Sequence, residues 1–166
     1  MSGIRIRTDR LELVTMPAAV AAALPEDRVT AAGLLGSSLA DAWPLPDLLD
    51  ILPMQASVEP DLEAFGAWVI VERDTNTVVG DIGFLGPPVG GEIEIGFSVI
   101  PDRRRRGYAS EAARSLVDWA MDQPAIREVV ARSDVDNEAS ARTLTAAGFS
   151  HEGERDGVNH WRRAAR

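Results

Sequence analysis

The stretch Pro101-Asp102-Arg103-Arg104-Arg105-Arg106-Gly107-Tyr108-Ala109-Ser110-Glu111 lies between two segments of different hydrophobic period. Before it, Ile93, Ile95, Phe97 and Val99 alternate with Glu92, Glu94, Gly96 and Ser98, the pattern of a strand with one buried face. After it, Ala109, Ala112, Ala113, Leu116, Val117, Ala120 and Met121 recur at three- and four-residue steps, the apolar stripe of an amphipathic helix. Pro101 has no N–H to give to a ladder, so the strand is expected to stop there. Gly107 lets the backbone come close to a ligand at the helix start. The first N–H groups of a helix have no intrahelical acceptors, and together with the helix dipole they attract an anion, phosphate above all. The expected unit is strand, anion-binding turn, helix.

Around it stand 166 residues, 45% apolar and 26% charged, and one domain spanning 1–166 is expected. Cysteine is absent, which removes disulfides, thiolate metal sites and a cysteine nucleophile; no metal is expected. The N-terminus lacks an apolar signal core and no apolar run matches a bilayer span, so a cytoplasmic protein without membrane attachment is expected. A net charge of −9 argues against nucleic-acid binding, which needs basic surface, and sets Arg103–Arg106 apart as a confined anion site.

Outward from the central unit, Arg10–Val14 predicts a first strand. Pro17–Leu24, Asp27–Leu35 and Pro46–Leu52 predict short helices, in a region from 17 to 65 that Pro44, Pro53 and Pro60 break into pieces. This region is expected to close over one side of a sheet and to hold the substrate selectivity. Trp68–Glu72 and Val78–Phe84 predict a hairpin, Glu128–Arg132 a strand, and Asn137–Ala147 a helix closed by Gly148. Ser150–Arg155 and Val158–Arg163 flank Asp156-Gly157, a hairpin turn pair. The order predicts a mixed α/β sheet.

Arg104-Arg105-Arg106-Gly107-Tyr108-Ala109 resembles the Arg/Gln-x-x-Gly-x-Gly/Ala signature of the Gcn5-related N-acetyltransferase (GNAT) superfamily. Thr8-Asp9-Arg10-Leu11 is similar to the Thr-Glu-Arg-Leu opening of many of its members, and the likeness extends from about Thr8 to Trp161. It implies an α/β GNAT fold, a mixed, mostly antiparallel central sheet flanked by helices. It also implies acetyl-coenzyme A as cosubstrate, with its pyrophosphate on the amides of Arg104, Arg105, Arg106, Gly107, Tyr108, Ala109 and Ser110. The strand Phe97, Ser98, Val99 and Ile100 would pair through its backbone with the pantetheine arm. The partners implied are acetyl-coenzyme A and an amine acceptor, a peptide N-terminus or a small molecule, and the protein would be a monomer or homodimer.

Asn137, Ser140 and Leu144 fall on one helix face. In many GNAT enzymes the last position carries a tyrosine that protonates the coenzyme A thiolate; here it is leucine, and the single tyrosine belongs to the anion loop. Asn-x-x-Ser with Leu four residues on, then Gly148-Phe149, resembles the branch that acetylates the N-terminal alanine or serine of ribosomal proteins. That resemblance implies a cofactor contact for Asn137 and a thiolate partner in Ser140. Asn137 also reads as a plain helix N-cap, and Ser140 as a small residue under the sheet. For the base, the resemblance points to a strand glutamate, Glu94 first, against the plainer reading of a solvated side chain. The activity implied is acetyl transfer from acetyl-coenzyme A to a primary amine by direct attack. The alternative is a coenzyme A-binding regulatory domain without turnover.

Overall fold

The computed structural model describes residues 3–164. Its strands are β1 Arg5–Arg7, β2 Leu11–Thr15, β3 Ser38–Leu39, β4 Ala67–Glu72, β5 Thr77–Phe84, β6 Glu92–Val99, β7 Glu128–Asp134, β8 Ser150–Arg155 and β9 Val158–Ala164. Its α-helices are α1 Ala18–Ala23, α2 Arg28–Leu35, α3 Pro46–Gln55, α4 Tyr108–Met121 and α5 Glu138–Ala146. The strands form one sheet in the order β1-β2-β4-β5-β6-β7-β9-β8, with β3 beside the start of β5. All neighbours are antiparallel except β3–β5 and β6–β7. This is the mixed α/β, mostly antiparallel GNAT architecture implied by the signature.

Three elements differ from the sequence reading. The first predicted strand is β2, and β1 precedes it as a short edge strand too brief to show a pattern. β3 has two residues, below the length any periodicity reports. α3 runs past Pro53 to Gln55. Pro53 removes one helix hydrogen bond, but the last turn is held by Gln55, whose Nε2 donates to the Met16 carbonyl at 2.9 Å while its Oε1 accepts from Ala67 N–H at 3.1 Å. No helix among the described residues is long and apolar enough to cross a membrane.

Two features of the sheet position the site. Trp119 of α4 packs on Trp68 and Phe84, so α4 covers the face of β5 that carries Phe84. Asp81 points to the other face by strand alternation, and there it meets the loop residue Trp43. Between β6 and β7 the parallel ladder covers only Glu92↔Glu128, Ile93↔Val129 and Glu94↔Val130. Beyond Glu94, β6 stays paired to β5 on one side while β7 pairs with β9, and the sheet forks.

Candidate active site

The fork opens into a cleft of about 810 Å³. Phe97, Ser98 and Val99 of β6 form one wall, and Asn137, Ser140 and Thr143 of the α5 region face them. The loop before α4 closes one end, with Arg104, Arg105, Gly107, Tyr108, Ala109 and Ser110. Asp47, in the first turn of α3, reaches the cleft from the α1–α3 side. Beyond the fork the β7-facing edge of β6 keeps backbone donors and acceptors that no strand uses, which is what an extended, amide-bearing arm needs.

The loop owes its shape to two left-handed residues, Arg105 at φ 64° and Gly107 at φ 80°. Glycine suits the second, since a Cβ there would sit 3.3 Å from an Arg10 Nη and strain the backbone. Gly107 caps α4 without a side-chain hydrogen bond. Among the described residues, the N–H groups from Arg105 to Ser110 find no protein backbone acceptor, whereas Arg104 N–H bonds Pro101 and Glu111 N–H bonds Gly107. Such a run of unpaired amides at the start of a 14-residue helix fits a pyrophosphate.

Buried charge anchors this loop from behind. Glu72, 5% exposed, accepts from Tyr108 Oη at 2.8 Å, Arg103 Nε at 3.0 Å and Thr75 Oγ1 at 2.7 Å. Burial alone would raise its carboxyl, but the bonds from Thr75, Tyr108 and Arg103 outweigh that and hold it below the ordinary value. Tyr108 is shifted the opposite way, raised by burial and by its bond to Glu72. On the outer side Arg10 stacks over the Tyr108 ring at 4.7 Å, donates to the Arg106 carbonyl at 2.6 Å and bonds Glu111 at 2.8 Å. Thr8 hydroxyl donates to the same Glu111 at 2.5 Å. The Thr8-Asp9-Arg10-Leu11 opening therefore straps the loop to the start of α4.

Several expected residues sit differently from the lining groups. Ile100 is buried and bonds Val79 through its N–H, and Arg106 contributes to the loop backbone without lining the cleft. Arg104 folds back, its Nε donating to the Val99 carbonyl at 2.8 Å. Asn137 does cap α5, its Oδ1 accepting from Ser140 N–H at 3.0 Å, and it also lines the cleft. Leu144 is buried in the core, and Tyr108 is committed to Glu72, so neither offers the cleft a free phenol. Glu94 stands outside the lining, its carboxylate 2.9 Å from Arg132 Nε across the fork. Arg103, part of the basic run the sequence set apart, lines the cleft; Arg142, Thr143 and Asp47 line it without having been singled out in the sequence, and only the folded chain brings them there.

Asp81 also escaped the sequence reading. Burial pushes its carboxyl up to about 7, opposed by the hydrogen bond from Trp43 and reinforced by the negative charge of Asp47. The carboxyl is deeply enclosed, although the residue as a whole keeps a partly open surface. No sequence periodicity marks a lone aspartate in an apolar strand as different from a bulge or an edge position.

Comparison with known proteins agrees with this geometry. The model of the acetyltransferase (GNAT) domain family matches residues 19–150. The chain belongs to the GNAT family of N-acetyltransferases and is an acyltransferase. It is 32% identical over 162 residues to the uncharacterized N-acetyltransferase YjdG of Bacillus subtilis (strain 168), covering 95% of this chain and 96% of that one. Among solved structures, the ribosomal-protein-S5-alanine acetyltransferase from Vibrio fischeri superposes with a TM-score of 0.70 at 15% identity, covering 97% of this chain and 96% of that one. RimL, a ribosomal L7/L12 α-N-protein acetyltransferase in complex with coenzyme A, gives a TM-score of 0.70 at 20% identity and covers 98% of both. At these identities the structural likeness is one of fold.

Proposed function

We propose that the protein transfers the acetyl group of acetyl-coenzyme A to a primary amine, with the α-amino group of a peptide N-terminus as the acceptor class. The observation that carries the first half is the free amide run from Arg105 to Ser110 at the mouth of a forked sheet. Those amides would hold the pyrophosphate, and Ser98, Val99 and Asn137 would flank the pantetheine arm along the open edge of β6. Acetyl-coenzyme A supplies an activated thioester. The chain supplies position, which can provide a large share of the rate.

The acceptor class follows from what the cleft lacks and holds. The one tyrosine at the cleft, Tyr108, has its hydroxyl committed to Glu72, so Ser140 is the hydroxyl we assign to assist the departing sulfur. With modest acid assistance, an amine that gives up its proton more readily is favoured. An α-amine ionises near ~8 and a lysine near ~10.4. The names of the RimL and S5-alanine neighbours, which share the fold, point to the same acceptor class. Free thiol release should be faster with peptides carrying a free N-terminus than with the same peptides blocked there and bearing free lysines. Equal or faster turnover of the blocked peptides would overturn the acceptor assignment and leave acetyl-coenzyme A binding untouched.

A further inference from the structure

Asp81 lies in mid-strand, paired in register with Ser98, so the two side chains share a face of the β5–β6 ladder. Ser98 lines the cleft, and so does Asp47, whose charge acts on Asp81 from the first turn of α3. The fully buried Trp43 donates its indole N–H to Asp81 Oδ2 at 3.0 Å. The Trp43 carbonyl is in turn held by Arg28 of α2, which also bonds the Ala40 carbonyl. β4 presents Val69 opposite Asp81. The charged neighbours are thus one carboxylate, Asp47, and one guanidinium already committed to backbone carbonyls.

The two carboxylates that hold the loop are saturated. Glu72 accepts from three side chains, and Glu111 accepts from Thr8 and from the backbone and side chain of Arg10. Asp81 receives a single bond, and its Oδ1 has no donor among the described residues. Among the described residues no side-chain oxygen that is sealed from solvent goes without a partner, so Oδ1 keeps a path to solvent. A structural aspartate in a sheet would be expected to have its second oxygen bonded. Glu94 differs in its charge: the Arg132 guanidinium pairs with it, whereas Asp81 has no ion-pair partner among the described residues.

We propose that Asp81 is the group that takes the proton from the acceptor amine, through the oxygen that Trp43 leaves free. This rests on the amine-acetylation reading above. The acceptor arrives as R–NH3+ and gives one proton to the Asp81 carboxylate. The lone pair so released forms the C–N bond as the C–S bond breaks, its electron pair leaving with sulfur. The second nitrogen proton goes to the thiolate, and Asp81 returns its proton to solvent. The balance is one amide, one thiol and one proton.

The test uses a synthetic peptide with a free N-terminal serine and no lysine, with thiol release followed from about pH 5.5 to 9. The wild-type kcat/KM should carry an ascending limb near 7 as Asp81 ionises and a descending limb as the amine loses its own proton near ~8. In Asp81→Asn the lower limb should vanish and the neutral-pH rate fall about 10²-fold, the range for general base catalysis, with acetyl-coenzyme A affinity unchanged by calorimetry. Asp47→Asn removes a neighbouring negative charge and should move the lower limb to lower pH. Independently of turnover, the Trp43 indole ¹⁵N–¹H resonance should titrate with the same midpoint in the wild type and stay flat in Asp81→Asn. An active enzyme whose Asp81→Asn variant keeps the lower limb, or an indole resonance that is flat in the wild type, overturns the assignment. Absence of turnover on any amine, with acetyl-coenzyme A still bound, overturns the transfer reading itself and the proton acceptor with it.

Discussion

On the α4 side of the cleft a ligand meets backbone: amides from Arg105 to Ser110 and the open edge of β6. On the α3 side it meets the Asp47 side chain at the wall, and Asp81 shares a strand face with the lining residue Ser98. In the proposed reading the first half holds the coenzyme A pyrophosphate and arm, and backbone donors would serve them whatever the neighbouring side chains are. In the proposed reading the second half distinguishes one amine from another and moves a proton, which backbone cannot do. Its groups come from three separate elements, α3, the Trp43 loop and β5, that converge only on folding.

The sharpest way to break this contrast is to place charge on the backbone-built side. Gly107→Glu puts a carboxylate where the amides converge and forces a side chain onto φ 80°. Acetyl-coenzyme A affinity should fall by about 100-fold or more, ~2.7 kcal/mol, read by calorimetric titration. The strain itself costs of order 1–3 kcal/mol, so a circular dichroism melt should accompany the titration. Unchanged affinity would remove the loop from the cofactor site.

The acceptor side should show its character as a pH dependence of stability. The Asp81 carboxyl is raised from 3.8 to about 7 in the fold, so between those values the native state binds more protons than the unfolded chain. Stability therefore falls as pH rises through that window and levels off above about 7. Three units would be worth ~4 kcal/mol at 1.36 kcal/mol each. Water reaching the open side of the residue reduces this to about 2. Asp81→Asn should accordingly be more stable than the wild type by about 2 kcal/mol near pH 8 and nearly equal near pH 4 in urea melts. Activity lost while stability is gained is the pattern of a functional group kept at a structural cost. Equal stability at both pH values would show Asp81 to be ordinary.

The same contrast explains what could be read without the fold. β6, the loop and α4 were legible because a period of two, a proline, a glycine and a period near 3.6 follow one another without interruption. The Asn137 cap and α5 were legible for the same reason. Asp81 was not, because its meaning depends on Trp43, 38 residues away in sequence. Nor was the pairing of Glu94, which looks free in an alternating strand until β7 brings Arg132 beside it. The strap from Thr8 and Arg10 to Glu111 spans more than 100 residues, and the resemblance of the Thr-Asp-Arg-Leu opening said nothing of that contact.

Between the extremes lies the anchor under the loop. Tyr108→Phe keeps the ring beneath Arg10 but takes one donor from the buried Glu72. A hydrogen bond to a charged group is worth about 1.5 kcal/mol at the low end, and chemical denaturation should show a loss of that order. Acetyl-coenzyme A should bind several-fold more weakly, because the backbone of the loop rests on this support. A variant that loses stability while keeping full affinity would mean the loop holds its shape through Arg103 and Arg10 alone.

Ser140 tests whether the backbone-built side contributes chemistry as well as binding. Its N–H is used by Asn137, its side chain lines the cleft, and no protein partner holds its hydroxyl among the described residues. Alanine is a better helix former than serine, and the cap bond uses only the backbone, so Ser140→Ala should leave the fold and the cofactor site intact. If the hydroxyl protonates the departing sulfur, kcat should fall by about tenfold, ~1.4 kcal/mol, with acetyl-coenzyme A affinity unchanged. The loss should be larger for amines that attack slowly, since for them departure of sulfur weighs more in the barrier. Wild-type rates in the alanine variant would return Ser140 to a lining role. The side chains that do chemistry would then all lie on the α3 side, which would widen the division between the two halves of the cleft.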